Sequence, residues 1–234
     1  MGLLRKAVDW IDVRIGIRDL IRAQLTEYTV PKNINIWYSL GFLSLFIFIV
    51  QIATGIFLLT YYVPDVDKAF QSIDKIMNEV PFGWLFRLIH AVGANMMVIV
   101  LFLHALSTLF MGSYKKPREL HWVTGFVLFL LTLSICLSGY LLPWSQLSYW
   151  ATTVATNSPG SIPLIGEMIV KYTRGGDLVG PVTLGRFFAS HVVGIPMIML
   201  LVVGIHLFLV RRTGISQPPV RKKEEGNSGE WMKR

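Results

Sequence analysis

Four long apolar stretches, separated by polar segments, set the pattern of this chain of 234 residues. They cover about residues 34–61, 83–111, 121–140 and 184–210. A helix needs about 20 mostly apolar residues to cross a bilayer, and each stretch supplies them. The pattern therefore predicts an all-α membrane protein whose four transmembrane helices form one bundle.

The segments on either side of this bundle are polar in different ways. Residues 1–33 carry basic side chains among apolar residues at helical spacing, which predicts an amphipathic helix on the membrane surface. Residues 211–234 form a charged tail rich in Gly, Ser and Pro. The chain is thus divided into a surface helix at 1–33, a transmembrane domain at 34–210 and a charged tail at 211–234.

Positive charge is distributed unevenly, and the formal net charge is +8. Sixteen of the 22 Lys and Arg residues lie in the N-terminal segment, the loop at 113–120 and the tail. Cytoplasmic segments of membrane proteins are enriched in these residues, so we expect a multi-pass protein with both termini in the cytoplasm. Membrane topology accounts for the charge, and nucleic-acid binding is not expected. The single cysteine, Cys136, excludes an internal disulfide.

Histidines occur in pairs in the second and fourth apolar stretches. His90 and His104 are fourteen residues apart, and His191 and His206 are fifteen apart. Fourteen residues of helix rise about 21 Å and return to nearly the same face. Both stretches cross in the same direction, so we expect His90 to pair with His191 and His104 with His206. Two stacked bis-histidine centres, each holding a b-type haem, fit this spacing.

Glycines in the first and third stretches repeat the histidine spacing. Gly41 and Gly55 are fourteen residues apart, and so are Gly125 and Gly139. A flat macrocycle among four helices needs positions without side chains on the two helices that carry no histidine, and glycine provides them. Ordinary small-residue packing between helices is the alternative interpretation.

Two arginines lie close to the histidines in sequence. Arg87 precedes His90 by three residues, and Arg211 follows His206 by five. Each is a candidate to pair with a haem propionate. An arginine that anchors its helix at the membrane interface is the alternative.

Two further residues bear on this arrangement. Pro196 lies between the histidines of the fourth stretch and is expected to help absorb the extra residue in their spacing. His121 begins the third stretch beside Trp122 and is expected to be an interfacial side chain without a partner.

Between about Tyr28 and Ile215 the sequence resembles the cytochrome b6 type of cytochrome b, from quinol-oxidising bc complexes. The likeness rests on the segments YKKPREL, SGYLLPW, SYWATTV and IPLIG, on the RTGIS ending at Arg212 to Ser216, and on the fifteen-residue spacing in the fourth stretch. The resemblance implies a four-helix, dihaem subunit with an outer haem at the first histidine pair and an inner haem at the second.

The resemblance also implies the activity of a quinol:cytochrome c, or plastocyanin-like, oxidoreductase. Quinol would be oxidised near the outer face, with one electron passing to a Rieske iron–sulfur protein and the other crossing to a quinone at the inner face. A c-type cytochrome, a three-helix subunit with the remainder of cytochrome b, membrane lipid and a homodimeric complex are the implied partners. Residues 141–180 would form short amphipathic helices lining the outer quinol site, with Trp144, Tyr149 and Trp150.

The sequence departs from the b6 pattern at two positions. Ser39 stands where many b6 proteins carry a cysteine that binds a third, c-type haem, so no covalent haem is expected. The same absence favours a bacterial cytoplasmic membrane over a plant thylakoid. Ser145 replaces the aspartate of the family's PWDQ segment, which removes a carboxylate near the outer site.

Two other functions stay open on sequence alone. A dihaem cytochrome b can anchor a hydrogenase or formate dehydrogenase to the membrane, and a four-helix bundle can be a haem-free scaffold or transporter. A reduced-minus-oxidised spectrum separates the haem-free alternative from the others.

Overall fold

The computed structural model describes residues 36–216 and seven isolated positions before them (2, 6, 9, 10, 12, 13 and 22). The predicted surface helix at 1–33 lies almost wholly outside the described residues, and so does the tail beyond residue 216. The three-part division of the chain therefore stays a prediction.

Within the described residues, four helical segments are long and apolar enough to cross a membrane. In chain order they are Ile36–Leu59, Gly83–Phe110, Glu119–Leu141 and Pro181–Thr213. Each lies within three residues of its expected bounds, and no strand occurs in the described part of the chain. The prediction of an all-α membrane bundle is confirmed.

Shorter helices occupy the connections between these spans. We number the helices in chain order: α1 Leu40–Leu59, α2 Ala69–Asn78, α3 Gly83–Phe110, α4 Glu119–Leu141, α5 Gln146–Asn157, α6 Gly166–Arg174, α7 Pro181–Ala189 and α8 Ile195–Thr213. A 3₁₀ turn, Ile36–Ser39, precedes α1. The expected short helices after residue 141 are α5 and α6, and the polar connection at 63–82 contains α2.

The membrane helices pack as two pairs. α1 lies along α3, and α4 lies along α8. α3 also approaches α4, but the backbones of α3 and α8 do not come as close as those of packed helices. Each helix that carries histidines is therefore packed mainly against a glycine-bearing helix rather than against the other histidine-bearing helix.

A packed layer fills the middle of the bundle. Phe48, Met97 and Met199 are buried and form one cluster, and Thr132 on α4 is also fully buried. Met97 lies seven residues from each histidine of α3, while Phe48 and Thr132 lie seven from each candidate glycine of their own helices. The layer therefore separates the level of the first histidines from that of the second.

The extra residue of the fourth span is absorbed by a π-helical turn. Ser190–Gly194 forms this turn between α7 and α8, and it contains His191. A π turn inserts one residue into an α-helix, and Pro196, just beyond it, lacks the N–H of a regular helical bond. The expected adjustment is present, centred on His191 rather than on Pro196.

The loop between α3 and α4 lies against the end of α8. The hydroxyl oxygens of Ser113 and Ser216 are 2.6 Å apart, and Arg118 Nε donates to the carbonyl of Gly214 at 3.4 Å. Two of the basic segments thus meet on one side of the bundle, as their charge distribution predicts.

The expectation that His121 has no partner is wrong. Its Nε2 lies 2.9 Å from Thr213 Oγ1, and its ring centroid lies 6.4 Å from that of His206. The first turn of α4 packs against the last turns of α8, so this side chain faces the bundle.

Arg174 at the end of α6 joins the segments of the connection between α4 and α7. Its side chain is 3% exposed. The guanidinium donates to Thr156 Oγ1 at 2.7 Å, the Thr153 carbonyl at 2.8 Å, Asn157 Oδ1 at 2.9 Å and the Asp177 carbonyl at 3.0 Å. One buried cation thus ties α5 to the residues that follow α6.

We predict that Arg174→Ala destabilises this connection by on the order of 3 kcal/mol, because it leaves several buried acceptors without a donor. Thermal unfolding and limited proteolysis across 157–180 measure the effect. Lys171→Ala is the matched control on the same helix, since its ion pairs with Glu167 and Asp177 are exposed and contribute little. Equal sensitivity of the two variants would contradict the role given to Arg174.

Candidate functional site

His90 on α3 and His191 on the π turn face each other across the space between the two helix pairs. Their ring centroids are 6.1 Å apart, and the ring planes are inclined by 78°. Metal–imidazole bonds are about 2 Å long, so two rings on opposite sides of one metal ion have centroids about 6 Å apart. The first predicted pair therefore has the separation expected of two imidazoles that would hold one metal ion between them.

His104 and His206 occupy the second level, one repeat further along α3 and α8. The ring of His104 lies against Gly41 and that of His206 against Gly125. His121 stands beside His206 at this level, so a third imidazole borders the second pair. The structure thus brings His90 and His191 together, as the direction of the crossings predicts, while the pairing of His104 with His206 stays a prediction.

Each histidine ring lies against a glycine of the helix packed beside it. A Cβ placed on the glycine would lie 3.1 Å from the ring of His104 at Gly41, 3.2 Å from His90 at Gly55, 3.4 Å from His206 at Gly125 and 2.5 Å from His191 at Gly139. The sequence predicted that these glycines make room for a macrocycle. In the structure they first make room for the imidazoles, and they do so at the two levels where the macrocycles are expected.

The arrangement fits two flat, iron-centred macrocycles. The backbones of α3 and α8 do not pack together, and glycines line the levels at which the histidines meet. The buried layer around Met97 closes the bundle between those levels. Packed side chains therefore lie between the two histidine levels.

The hydrogen bonds of the first pair fix its tautomers. His191 Nδ1 lies 3.0 Å from the carbonyl of Ile135, and because a carbonyl only accepts, Nδ1 carries the proton. His90 Nδ1 lies 2.8 Å from Thr54 Oγ1, whose own proton is donated to the Val50 carbonyl at 2.7 Å. Both Nε2 atoms therefore keep a free lone pair, which is the form of imidazole that binds a metal.

His206 follows the same rule at the second level. Its Nδ1 lies 2.8 Å from Thr124 Oγ1, and that hydroxyl donates to the Leu120 carbonyl at 2.8 Å. A further hydroxyl, Ser138 Oγ, lies 3.2 Å from Nδ1 of His191. Bonds of this kind orient metal-binding histidines and raise their basicity.

Sequence reasoning missed these hydroxyl residues, although a signal for them exists. Thr54, Thr124 and Ser138 each stand directly before one of the candidate glycines. A Ser or Thr directly before a glycine that faces a histidine is thus the sequence pattern that predicts a hydrogen bond to that histidine.

The two candidate arginines differ in their surroundings. Arg87 lies one turn before His90, and its Nη1 donates to the sulfur of Met77 at 3.5 Å, at the end of the bundle that α2 covers. Arg211 lies in the last turn of α8, five residues beyond His206. Their pairing with propionates stays a prediction.

Aromatic side chains cluster where α4 meets α5. Trp144 and Tyr149 lie edge to face with centroids 5.8 Å apart, and Tyr149 and Trp150 likewise at 5.2 Å. Tyr62 donates its hydroxyl to the carbonyl of Leu142 at 2.7 Å, and burial raises the pKa of this phenol, so it stays a neutral donor. The cluster lies at the end of the bundle nearer the first histidine pair.

Both departures from the family pattern have a local structural role. Ser145 is the N-cap of α5, where its Oγ accepts from the N–H of Ser148 at 3.2 Å and Ser148 Oγ accepts from the N–H of Ser145 at 2.8 Å. Serine and aspartate both cap helices well, so the cap is kept while the charge is lost. The hydroxyl of Ser39 donates to the Ile36 carbonyl at 2.7 Å.

This fold and site define an all-helical membrane protein with histidine pairs stacked at two depths. Among the described residues, no group of three or more His, Cys, Asp or Glu side chains is placed to hold a metal ion.

Comparison with known proteins agrees with this class. Residues 25–214 match the family described as cytochrome b/b6/petB. Cytochrome b6 of Synechococcus elongatus is 42% identical over 215 residues, which cover 92% of this chain and 100% of that protein. The chain belongs to the cytochrome b/b6 family.

Two longer proteins are similar to this chain over part of their length. A cytochrome bc complex cytochrome b subunit of Chlorobaculum thiosulfatiphilum is 48% identical over 218 residues, covering 93% of this chain and 50% of the relative. A solved structure titled "Hyperthermophilic respiratory Complex III" contains a chain with a TM-score of 0.85 and 45% identity, covering 94% of this chain and 59% of that one. This chain therefore spans about half the length of these two relatives.

If each histidine level holds a haem, we predict that Gly139→Ala disrupts haem binding at the first level, whereas Gly125→Ala keeps both haems. The added methyl group meets the His191 ring at 2.5 Å in the first case, which forces the ring to move. In the second case it meets the His206 ring at 3.4 Å, an ordinary contact distance. Haem spectra of the two purified variants make the comparison, and equal haem retention would contradict it.

Proposed function

We propose that this chain is the dihaem electron-transfer subunit of a quinol-oxidising complex of the cytochrome bc/b6f type. The observation that carries the proposal is the repeat of one motif, a pair of facing histidines backed by glycines, at two levels separated by a packed layer. Membership of the cytochrome b/b6 family supports the same activity.

The four histidines would hold two non-covalent b-type haems, His90 and His191 one of them, His104 and His206 the other. Haem supplies a reversible one-electron change at its iron. The protein supplies imidazole Nε2 lone pairs, a low-dielectric interior and a fixed separation between the two levels. Fourteen residues of helix put the levels about 21 Å apart along the axis of α3, most of the apolar thickness of about 30 Å.

Topology gives this separation a direction. The basic segments around Lys115 and Arg211 mark one face as cytoplasmic by the positive-inside rule, in a bacterial cytoplasmic membrane. The first histidine pair then lies toward the outer face, beneath the connection that holds α5, α6 and the aromatic cluster. Quinol oxidation would occur at that end and quinone reduction at the other.

The partners follow from the same assignment. The aligned segment corresponds to the whole of the Synechococcus cytochrome b6 and to half of the Chlorobaculum subunit. A further segment or subunit with three helices would complete the cytochrome b unit. A Rieske iron–sulfur protein and a c-type cytochrome would accept electrons, and the complex would be a homodimer.

The alternative of a hydrogenase or formate dehydrogenase anchor is not favoured, because the cytochrome b/b6 match extends over residues 25–214. A thioether-bound third haem is not part of the proposal, because Ser39 lacks the necessary thiol.

Substitution of the histidines tests the pairing. We expect His90→Leu and His191→Leu to share one spectral phenotype, with loss of the outer haem, and His104→Leu and His206→Leu to share another. In the inner-site variants quinol should still reduce the remaining haem, while quinone reduction at the inner face should fail. Normal inner-face reduction in those variants would contradict a transmembrane route, and any other grouping of the four would contradict the pairing.

Arg87 gives an independent prediction. If its guanidinium neutralises an outer-haem propionate, Arg87→Leu should lower the midpoint potential of that haem and leave the other unchanged, because a lost positive charge destabilises the reduced state. Arg87→Lys keeps the charge and serves as the control. A shift of both haems, or of neither, in a spectroelectrochemical titration would return Arg87 to the role of an interface anchor.

A further inference from the structure

One of the four histidines lacks the hydroxyl partner that the other three have. Nδ1 of His104 is buried and has no hydrogen-bond partner within the described part of the chain. Its ring nevertheless lies against Gly41 as closely as the ring of His90 lies against Gly55. The backbone geometry of the site is thus repeated, and only the hydrogen bond is missing.

The reason is the residue that stands before the glycine. Leu40 directly precedes Gly41 and lies fourteen residues before Thr54, so it occupies the place on α1 from which Thr54 contacts His90. On α4 both corresponding positions, Thr124 and Ser138, carry hydroxyls within reach of Nδ1. Of the four positions directly before the glycines, three therefore carry a hydroxyl acceptor and one carries an apolar side chain.

The two levels consequently differ in the basicity of their imidazoles. A hydrogen bond from Nδ1–H to an oxygen moves electron density onto the ring and makes Nε2 a stronger donor. A stronger donor stabilises ferric over ferrous iron, and second-shell hydrogen bonds of this kind tune haem potentials. Both imidazoles of the first pair have such a bond, but only one imidazole of the second pair does.

We infer that the residue before each glycine sets the redox potential of its level, and that Leu40 makes the His104–His206 site the easier one to reduce. The inference rests on the proposed haem ligation. The tuning residues, which act through the histidines, are then Leu40, Thr54, Thr124 and Ser138. The asymmetry favours electron movement from the first level to the second.

Leu40→Thr tests the inference by supplying the missing acceptor. The midpoint potential of the His104–His206 site should fall, while that of the other site stays unchanged, in a redox titration of the intact complex followed by haem absorbance. Leu40→Val is the matched control, because valine has the shape of threonine without its hydroxyl, and it should leave both potentials unchanged.

The reverse change completes the test at the other level. Thr54→Val removes an acceptor with little change of shape and should raise the potential of the His90–His191 site, and Thr54→Ser should restore it. If Leu40→Thr fails to retain haem, Thr54→Val and Thr54→Ser still test whether the hydroxyl tunes the redox potential. Equal shifts in Leu40→Thr and Leu40→Val, or an unmoved potential in Thr54→Val, would overturn the inference.

The same titration separates this inference from the proposed function. Wild-type complex in which this chain carries no haem would refute the ligation itself. If two haems are bound but their midpoint potentials do not change in the hydroxyl variants, only the tuning role is refuted.

Discussion

The close approach of an imidazole ring to a neighbouring helix backbone is the constraint on which this structure depends. At Gly139 the approach is so tight that even a methyl group would overlap the His191 ring. The approach holds α1 against α3 and α4 against α8, while the two histidine-bearing helices stay apart. The glycines leave no side chain between each imidazole and the neighbouring helix backbone.

The packing of large side chains midway between the two histidine levels is the complementary constraint. Met97, Met199 and Phe48 fill the bundle where the glycine levels leave it open. Because this layer consists of buried apolar side chains, charge that moved between the two levels would cross a region of low dielectric. A continuous polar channel at the same place would let ions cross and would cancel the charge separation on which quinol-oxidising complexes rely.

Much of this could be predicted from the sequence, because the informative signals are periodic. The apolar runs gave the four spans to within three residues, and the fourteen-residue repeats of His90 and Gly55 gave the two levels. The fifteen-residue spacing revealed an inserted residue, but only the structure locates the π turn at His191. The spacing between His191 and His206 shows that a residue is inserted, but it does not show which helical turn contains it.

Contacts between side chains from distant parts of the chain could not be predicted from the sequence. Thr54 is 36 residues from His90, and Thr124 is 82 from His206, so their contacts depend on how the helices pack. His121 was misjudged for the same reason, since its bond to Thr213 joins residues 92 apart. The hydroxyl before each glycine was visible, but its meaning depended on knowing that the glycine faces a histidine.

The haem content of the purified complex tests the central claim most directly. Acid–acetone extraction followed by pyridine haemochrome spectroscopy, with this chain quantified separately, gives the number of b-type haems per copy and any haem that resists extraction. The account predicts two extractable b-type haems assigned to this chain and no haem stain on its band in a denaturing gel. One haem per chain, none, or a stained band that survives extraction would contradict it.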